Sequence, residues 1–200
     1  MQKLLVASTN QKKLKELQEL LTDLPIELLS LQDFPNISEV EEDGLNFKEN
    51  AEKKALGYAK QTSCLTLGED SGLVVDALNG APGILSARFS GKGDLENCQK
   101  VLNLMKGISR EKRTAQFRSA CALATPEKII GVVEDEVSGF IAEEMIGSGG
   151  FGYDPLFFYP DFGTTFASVS AERKHSVSHR GKALQKIIEV LRNYLQTLAI

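Results

Sequence analysis

Acidic side chains in two separate segments could bind a divalent metal ion. Glu41 and Glu42 belong to the acidic run EVEED, and Glu69 and Asp70 follow a short apolar run. Magnesium in proteins takes oxygen ligands, often one or two carboxylates together with water and substrate phosphates. Asp70 could also accept a proton from a water molecule that attacks phosphorus. Taken alone, the acidic run is better explained as a solvated loop than as a metal site. For the second segment, a carboxylate that caps a turn and a carboxylate that binds metal are about equally good explanations.

A set of residues near the amino terminus could bind phosphate. Ser8, Thr9 and Asn10 follow the apolar run KLLVA, and Lys12 and Lys13 lie in the first turn of a predicted helix. The start of a helix presents unpaired backbone N–H groups and a partial positive charge, which both favour a bound phosphate. Because the GxxxxGK[ST] phosphate loop does not occur here, an ordinary capped helix is the simpler interpretation of this segment on its own.

The segment GSGGFGYDP could bind a flat heterocycle. Its glycines would let the backbone approach a ligand closely, and Phe151 or Tyr153 could stack on a base. Asp154 could accept a hydrogen bond from a ring N–H. A glycine-rich connection with its aromatic side chains in the core explains the segment about equally well.

The segment KHSVSHRG places His175 and His179 four residues apart, which is the spacing of a zinc pair on one helix face. No HExxH pattern accompanies them, and the sequence suggests no third ligand. Lys174, His179 and Arg180 are better explained as donors to keto oxygens or to phosphate.

The apolar pattern predicts a chain in which strands and helices alternate. Helices are predicted from Asn10 to just before Pro25, at Asn46–Gln61, at 94–105, after Ser170 and at Leu184–Leu195. Strands are predicted at Lys3–Ala7, Ile26–Leu31 and Cys64–Gly68, with a long hairpin formed by 114–124 and 128–142. Glu69 and Asp70 would then lie at the carboxyl end of a strand, where ligands of open α/β sheets usually bind.

Composition narrows the class of protein. The chain has 200 residues, of which 42% are hydrophobic and 25% charged, so we expect one globular domain over residues 1–200. Its net charge of -4 argues against a nucleic-acid-binding surface. Scattered cysteines without CxxC spacing favour a reducing compartment, and we find neither a signal peptide nor an apolar run of about 18 residues. We therefore expect a cytoplasmic protein with no nucleic-acid or membrane partner.

Taken together, five blocks resemble the inosine triphosphate pyrophosphatase family, which hydrolyses non-canonical purine nucleotides. From residue 4 to about residue 190 and in the family's order, they read ASTNQKK, EEDGLNFKENA, EDSGLVVDALNGAPGILSARFSG, GSGGFGYDPLF and SHRGKAL. The resemblance implies an α/β fold in which an elongated mixed sheet, flanked by helices, forms two lobes around a central substrate cleft. It also implies a homodimer and Mg²⁺-dependent hydrolysis of ITP, dITP and XTP to the monophosphate and pyrophosphate.

The resemblance further implies a role for individual residues. Glu42 and Asp70 would bind the metal, with Asp70 as general base and Glu41 and Glu69 as additional acids near it. The residues that would bind the triphosphate are Ser8, Thr9, Asn10, Gln11, Lys12, Lys13 and Lys54, and Ser71 would also contact the substrate. The residues that would surround the purine are Phe151, Gly152, Tyr153, Asp154, Lys174, His179 and Arg180.

Two positions depart from the family pattern. The family often has glycine where this chain has Thr9, and a second aspartate where it has Glu69.

Three other functions compete with the pyrophosphatase: a Maf-like enzyme for modified pyrimidine or canonical nucleotides, a catalytically silent purine sensor, and a phosphatase that removes the γ-phosphate. The intact FGYD and SHR blocks argue against the first, and the retained Lys13, Glu42 and Asp70 argue against the second.

Overall fold

The computed structural model describes residues 1–198, without the side chains of Lys12 and Glu16. The predicted role of the Lys12 side chain therefore lies outside the described residues. The helices are α1 (Gln11–Leu20), α2 (Phe47–Thr62), α3 (Asp94–Leu104), α4 (Ala171–His175) and α5 (His179–Leu198). The strands are β1 (Gln2–Val6), β2 (Ile26–Ser30), β3 (Leu65–Val75), β4 (Thr114–Ala124), β5 (Ile129–Ile141), β6 (Phe157–Tyr159) and β7 (Thr164–Thr165).

These strands form one mixed sheet in the order β2-β1-β3-β4-β5-β6-β7. β1 pairs in parallel with both β2 and β3, whereas β6 pairs antiparallel with β5 and β7. A mixed sheet flanked by helices confirms the predicted α/β class. None of the helices within residues 1–198 combines the length and the hydropathy that a membrane span requires.

The described chain divides into two compact units. The first comprises residues 1–70, residues 120–134 and the chain from residue 183 onward. Alternate side chains of a strand point to opposite faces, and β1 buries both of its faces. On one face Leu4 packs against the leucines of α1 and the apolar stripe of α5, and on the other Leu5 packs beside Tyr58 of α2.

Helix α2 lies very close to β3 within this unit. A Cβ atom at Gly68 would be 2.5 Å from the carbonyl oxygen of Ala51 and 2.6 Å from the backbone nitrogen of Ala55. Both alanines, and Ala59 one turn further, are fully buried. Only glycine fits at this position of β3, and only small residues fit on the facing stripe of α2.

The predicted end of the third strand at Gly68 is wrong. β3 continues to Val75, so Glu69, Asp70 and Ser71 lie inside the strand as half-buried residues. The pair Ser71-Gly72 resembles a turn by composition. The strand nevertheless continues because Leu73 and Val75 become fully buried when it is extended.

The second unit comprises residues 71–119 and 135–182. Its core contains an aromatic cluster in which the ring centroids of Phe117 and Phe157 are 4.5 Å apart and those of Phe157 and Phe166 are 4.9 Å apart. The buried face of α3, which includes Cys98 and Val101, packs in the same core.

Candidate active site

The start of α1 is built by local hydrogen bonds in the first unit. The Asn10 side chain accepts a hydrogen bond from the Lys13 backbone N–H at 3.3 Å, as its predicted capping role requires. The Ser8 hydroxyl accepts from the Asn10 backbone N–H at 3.1 Å, and the Gln11 side chain donates to Gln32 at 3.1 Å. Thr9 and Asn10 are exposed, so a phosphate can reach this helix start.

The acids predicted to bind metal converge on one face of α2. Lys54 Nζ forms an ion pair with Glu42 Oε2 at 2.9 Å and donates to the Glu69 carbonyl oxygen at 3.0 Å. One turn earlier on the same helix, Asn50 Nδ2 donates to Asp70 Oδ2 at 3.0 Å. Residues four apart on a helix face the same side, so α2 brings the acidic run and β3 together.

Lys13 connects the start of α1 to this acidic group. Its Nζ forms an ion pair with Glu69 Oε1 at 3.0 Å, and both side chains are largely buried, with exposed fractions of 20% and 10%. The predicted phosphate-binding lysines, Lys13 and Lys54, therefore each contact a predicted metal-binding acid. Lys13, Lys54, Glu42 and Glu69 thus form one connected group in the first unit, and Asp70, which follows Glu69 in the chain, contacts the same face of α2 through Asn50.

The acidic run is divided between this group and the surface. Glu42 is half-buried and faces Lys54, whereas Glu41 is exposed. Asp43 is also exposed and forms an ion pair with Lys53, whose hydrogen bond lowers the pKa of the Asp43 carboxyl. The sequence did not decide which of the two glutamates contacts the metal. In the structure Glu42 is the one that joins the group, because its partner Lys54 also contacts Glu69.

Asn50 is a residue of this site that the sequence analysis did not identify. It is 1% exposed, and its Oδ1 accepts from the Gly44 backbone N–H at 2.8 Å while its Nδ2 donates to Asp70. The Gly44 N–H fixes the orientation of the amide, so the donor side faces the carboxylate. The available signal was a polar residue on the alanine-lined face of α2, one turn before Lys54.

We expect Asn50→Ala to lower turnover by about 10- to 100-fold, because residues that orient a metal-ligating carboxylate typically have effects of this size. It should also lower the free energy of unfolding by about 1–3 kcal/mol, since the buried Gly44 N–H loses its acceptor. Pyrophosphate release and thermal unfolding measure the two effects. Asn103→Ala, at an exposed position of α3, serves as control and should change neither; unchanged turnover in Asn50→Ala would remove Asn50 from the site.

The second unit contains the residues predicted to surround a base. Asp154 and Lys174 form a buried ion pair, with 2.5 Å between Oδ2 and Nζ and exposed fractions of 2% and 6%. The same Oδ2 accepts from the Phe151 backbone N–H at 2.9 Å. The Phe151 ring is 40% exposed, and Lys174 Nζ lies 4.5 Å from its centroid. Asp154 therefore holds both the loop and the lysine in place.

The two aromatic rings of the FGYD block occupy different environments. Tyr153 is 4% exposed, and its hydroxyl donates to the Ser86 carbonyl oxygen at 2.8 Å. Burial raises the pKa of the Tyr153 hydroxyl above its ordinary value. Its ring belongs to the core of the second unit, so the stacking hypothesis now depends on the exposed ring of Phe151.

His179 and Arg180 begin α5 and are both buried. The His179 ring stacks on Phe117, with centroids 4.8 Å apart and an interplanar angle of 14°. Burial lowers the pKa of the Arg180 guanidinium to about 10. A Cβ atom at Gly181 would be 2.1 Å from the His175 carbonyl oxygen, so the turn between α4 and α5 requires this glycine.

The zinc alternative finds no support. His175 ends α4 and His179 begins α5, so the pair does not share one helix face. Among the described residues, no three His, Cys, Asp or Glu side chains form a metal-binding group. Two carboxylates completed by water and phosphate oxygens, the arrangement that magnesium uses, need no such group of three.

The first unit therefore combines carboxylates, lysines and an accessible helix start, the groups that bind a metal ion and phosphates. The model of the Ham1 family matches residues 4–190, and the chain belongs to this family. The predicted resemblance is thereby confirmed.

Named relatives and solved structures agree with this assignment. A dITP/XTP pyrophosphatase from Desulforamulus reducens is 50% identical over 94% of this chain and 95% of that protein. The structure of a HAM1 protein from Coxiella burnetii superposes with a TM-score of 0.89 at 39% identity, covering 96% of this chain and all of that one. A dITP/XTP pyrophosphatase structure from Mycobacterium abscessus is 46% identical with a TM-score of 0.78, covering 92% of this chain and 97% of that one.

Proposed function

We propose that this chain hydrolyses ITP, dITP and XTP to the nucleoside monophosphate and pyrophosphate. The observation that carries the proposal is the connected group of Lys13, Glu42, Lys54 and Glu69, with Lys13 in the first turn of α1 and Asp70 next to Glu69 in β3. It combines cations that suit phosphates with an acid that suits a water nucleophile. Relatives of this chain are named dITP/XTP pyrophosphatases, which supports the same substrate class.

The first unit performs the proposed hydrolysis. The start of α1, Lys13 and Lys54 bind the triphosphate through N–H groups and positive charge. Asp70 accepts a proton from a water molecule, and the water oxygen forms a bond to the α-phosphorus as the bond to the bridging oxygen breaks. Pyrophosphate leaves with its charge neutralised by the lysines and by the helix start.

The acids of this unit fit a magnesium ion by the chemistry of their donor set. Glu42, Asp70 and the nearby Glu69 offer hard carboxylate oxygens, and lysine ammonium groups already lie against two of them. We propose that Glu42 and Asp70 hold the ion. When bound, magnesium supplies positive charge to the phosphate oxygens that the lysines cannot fully neutralise.

Removal of divalent metal is therefore expected to lower turnover of ITP by at least about 100-fold, and added Mg²⁺ should restore it. Pyrophosphate release before and after chelation measures this effect. Binding of Mg²⁺ by calorimetry, compared between the wild-type chain and Glu42→Gln, tests the ligand assignment independently of turnover. Undiminished turnover after chelation would show that no metal is needed.

The second unit recognises the base in this proposal. Hypoxanthine and xanthine present a keto oxygen at position 6 and an N–H at position 1, whereas adenine presents the reverse pattern. Donors from His179 and Arg180 and an acceptor at Asp154 match the keto bases, while Phe151 stacks on the ring. Adenine would leave these buried groups unpaired, which is costly.

The test is a substrate panel of ITP, dITP, XTP, GTP, ATP and pyrimidine triphosphates. We expect kcat/KM for ITP to exceed that for ATP by on the order of 10⁴-fold, because a mismatched buried hydrogen-bonding edge discriminates strongly. Pyrophosphate should be the first product; orthophosphate would indicate a γ-phosphatase. Equal turnover of ATP and ITP would refute the base-recognition scheme, and preference for pyrimidines would favour a Maf-like activity.

The family resemblance also supports a homodimer, and the scattered cysteines support a cytoplasmic location. We propose both on these grounds. Light scattering of the purified chain measures the oligomeric state.

A further inference from the structure

Helix α3 contacts the base-binding loop at Gly152. Asp94 Oδ2 accepts a hydrogen bond from the Gly152 backbone N–H at 2.8 Å. The Cys98 thiol donates to the Gly152 carbonyl oxygen with a distance of 3.4 Å. Asp94 and Cys98 are four residues apart and face the same side of α3. Both polar groups of the Gly152 backbone are therefore held by one helix.

The same helix also supports the next residue of the loop. Asn97, which is 1% exposed, donates from Nδ2 to the Ser86 carbonyl oxygen at 3.2 Å. That carbonyl oxygen also accepts from the Tyr153 hydroxyl at 2.8 Å. α3 thus fixes Gly152 directly and Tyr153 through Ser86.

These two residues lie between Phe151 and Asp154, which we propose to contact the base. The loop also requires glycine at two positions. A Cβ atom at Gly150 would be 2.0 Å from Asp154 Oδ2, and Gly150 and Gly152 have positive φ values of 72° and 59°. Glycine by itself makes a backbone flexible, so the loop depends on contacts to keep its shape. Because the Phe151 N–H donates to Asp154 Oδ2 at 2.9 Å, a contact that holds Gly152 between them helps to fix both residues.

Of the three α3 residues that contact the loop or Ser86 (Asp94, Asn97 and Cys98), Asp94 is the one whose presence packing does not explain. It is exposed, so it buries little surface, and its acidic position in the first turn of α3 is shared by Glu96. The favourable interaction of an acid with a helix start is therefore common to both residues. The hydrogen bond to Gly152 distinguishes Asp94 from Glu96.

We propose that Asp94 is a positioning residue that sets base selectivity by holding Gly152, and through it Phe151 and Asp154. This inference rests on the proposed function for the identity of the base. Asp94 makes no contact with substrate in this scheme and acts only through the loop.

The experiment compares Asp94→Ala, Asp94→Asn and the matched control Glu96→Ala. Asparagine keeps an acceptor oxygen for the Gly152 N–H, and Glu96→Ala removes the same charge from the same helix turn. The three readouts are hydrogen exchange of the segment 150–154, calorimetric binding of IMP and AMP, and kcat and KM for ITP. IMP and AMP contain no phosphoanhydride bond to hydrolyse, so the binding preference is measured without turnover.

For Asp94→Ala we expect exchange in the segment 150–154 to accelerate by about tenfold, since the loop opens more easily. The preference for IMP over AMP should fall by about tenfold and KM for ITP should rise, while kcat stays within about threefold. Asp94→Asn should restore most of the preference. Glu96→Ala should match the wild-type chain in all three readouts.

An unchanged IMP preference in Asp94→Ala would overturn the inference, and so would equal losses in Asp94→Ala and Glu96→Ala. A wild-type chain that binds IMP no better than AMP would overturn it too. A wild-type chain that prefers IMP but releases no pyrophosphate from ITP would contradict the proposed function alone, because the binding and exchange readouts would still support Asp94.

Discussion

Asp70→Asn is expected to retain the fold but to lower pyrophosphate release from ITP by at least about 100-fold. Asparagine has nearly the same shape, and its amide oxygen can still accept the hydrogen bond from Asn50 that the carboxylate accepts at 3.0 Å. It cannot take a proton from water, and its neutral oxygen is a weaker ligand for magnesium. Steady-state kinetics and thermal unfolding measure turnover and folding separately.

Asp76→Asn is the matched control for this variant. Asp76 directly follows β3, is exposed, and accepts hydrogen bonds from Thr114 and Gln116. The same chemical change there should leave turnover close to that of the wild-type chain. Near-normal turnover in Asp70→Asn would exclude Asp70 as the general base.

Asp154→Ala is expected to lower the free energy of unfolding by about 3 kcal/mol, because it leaves a buried lysine without its counter-charge. Lys174 is 6% exposed, and the Phe151 N–H would lose its acceptor as well. For a chain of this size the loss corresponds to a decrease in Tm of about 6–12 °C. Thermal unfolding at neutral pH provides the measurement.

The exposed ion pair of Glu189 and Arg192 provides the comparison. These side chains are 66% and 39% exposed, so Glu189→Ala should cost less than about 1 kcal/mol. Replacing both members of the buried pair, in Asp154→Ala with Lys174→Met, should recover part of the lost stability. If Asp154→Ala and Glu189→Ala lowered Tm equally, the buried pair would have no special structural role.

The features that the sequence predicted well depend on local contacts. Asn10, Asn46 and Ser170 were expected to begin helices, and each accepts a hydrogen bond from a backbone N–H three residues later. Such a bond needs only neighbouring residues, so composition and spacing are sufficient to predict it.

The features that were missed depend on contacts between distant segments. Asn50 joins Gly44 to Asp70, and the importance of Gly68 becomes visible only when α2 lies against β3. The end of the third strand was misplaced because local turn signals in Ser71-Gly72 were weaker than the burial of residues further along. A short stretch of sequence does not indicate which distant residues it will contact.

The FGYD block shows that the type of a side chain does not predict its burial either. Phe151 and Tyr153 are both aromatic and two residues apart, yet one is exposed and the other lies in the core. The difference follows from the bond between Tyr153 and the carbonyl oxygen of Ser86, 67 residues earlier in the chain. Composition therefore identified the loop but not the role of each ring.

The hydrogen atom that Gly68 has in place of a side chain determines how near Lys54 comes to Glu69, and how near Asn50 comes to Asp70. Even one added methyl group would push the helix and strand apart and stretch both hydrogen bonds at once. Natural variation at this position should therefore be rare, although the residue bears no reactive group. Screens that rank mutations by chemical function alone would overlook it.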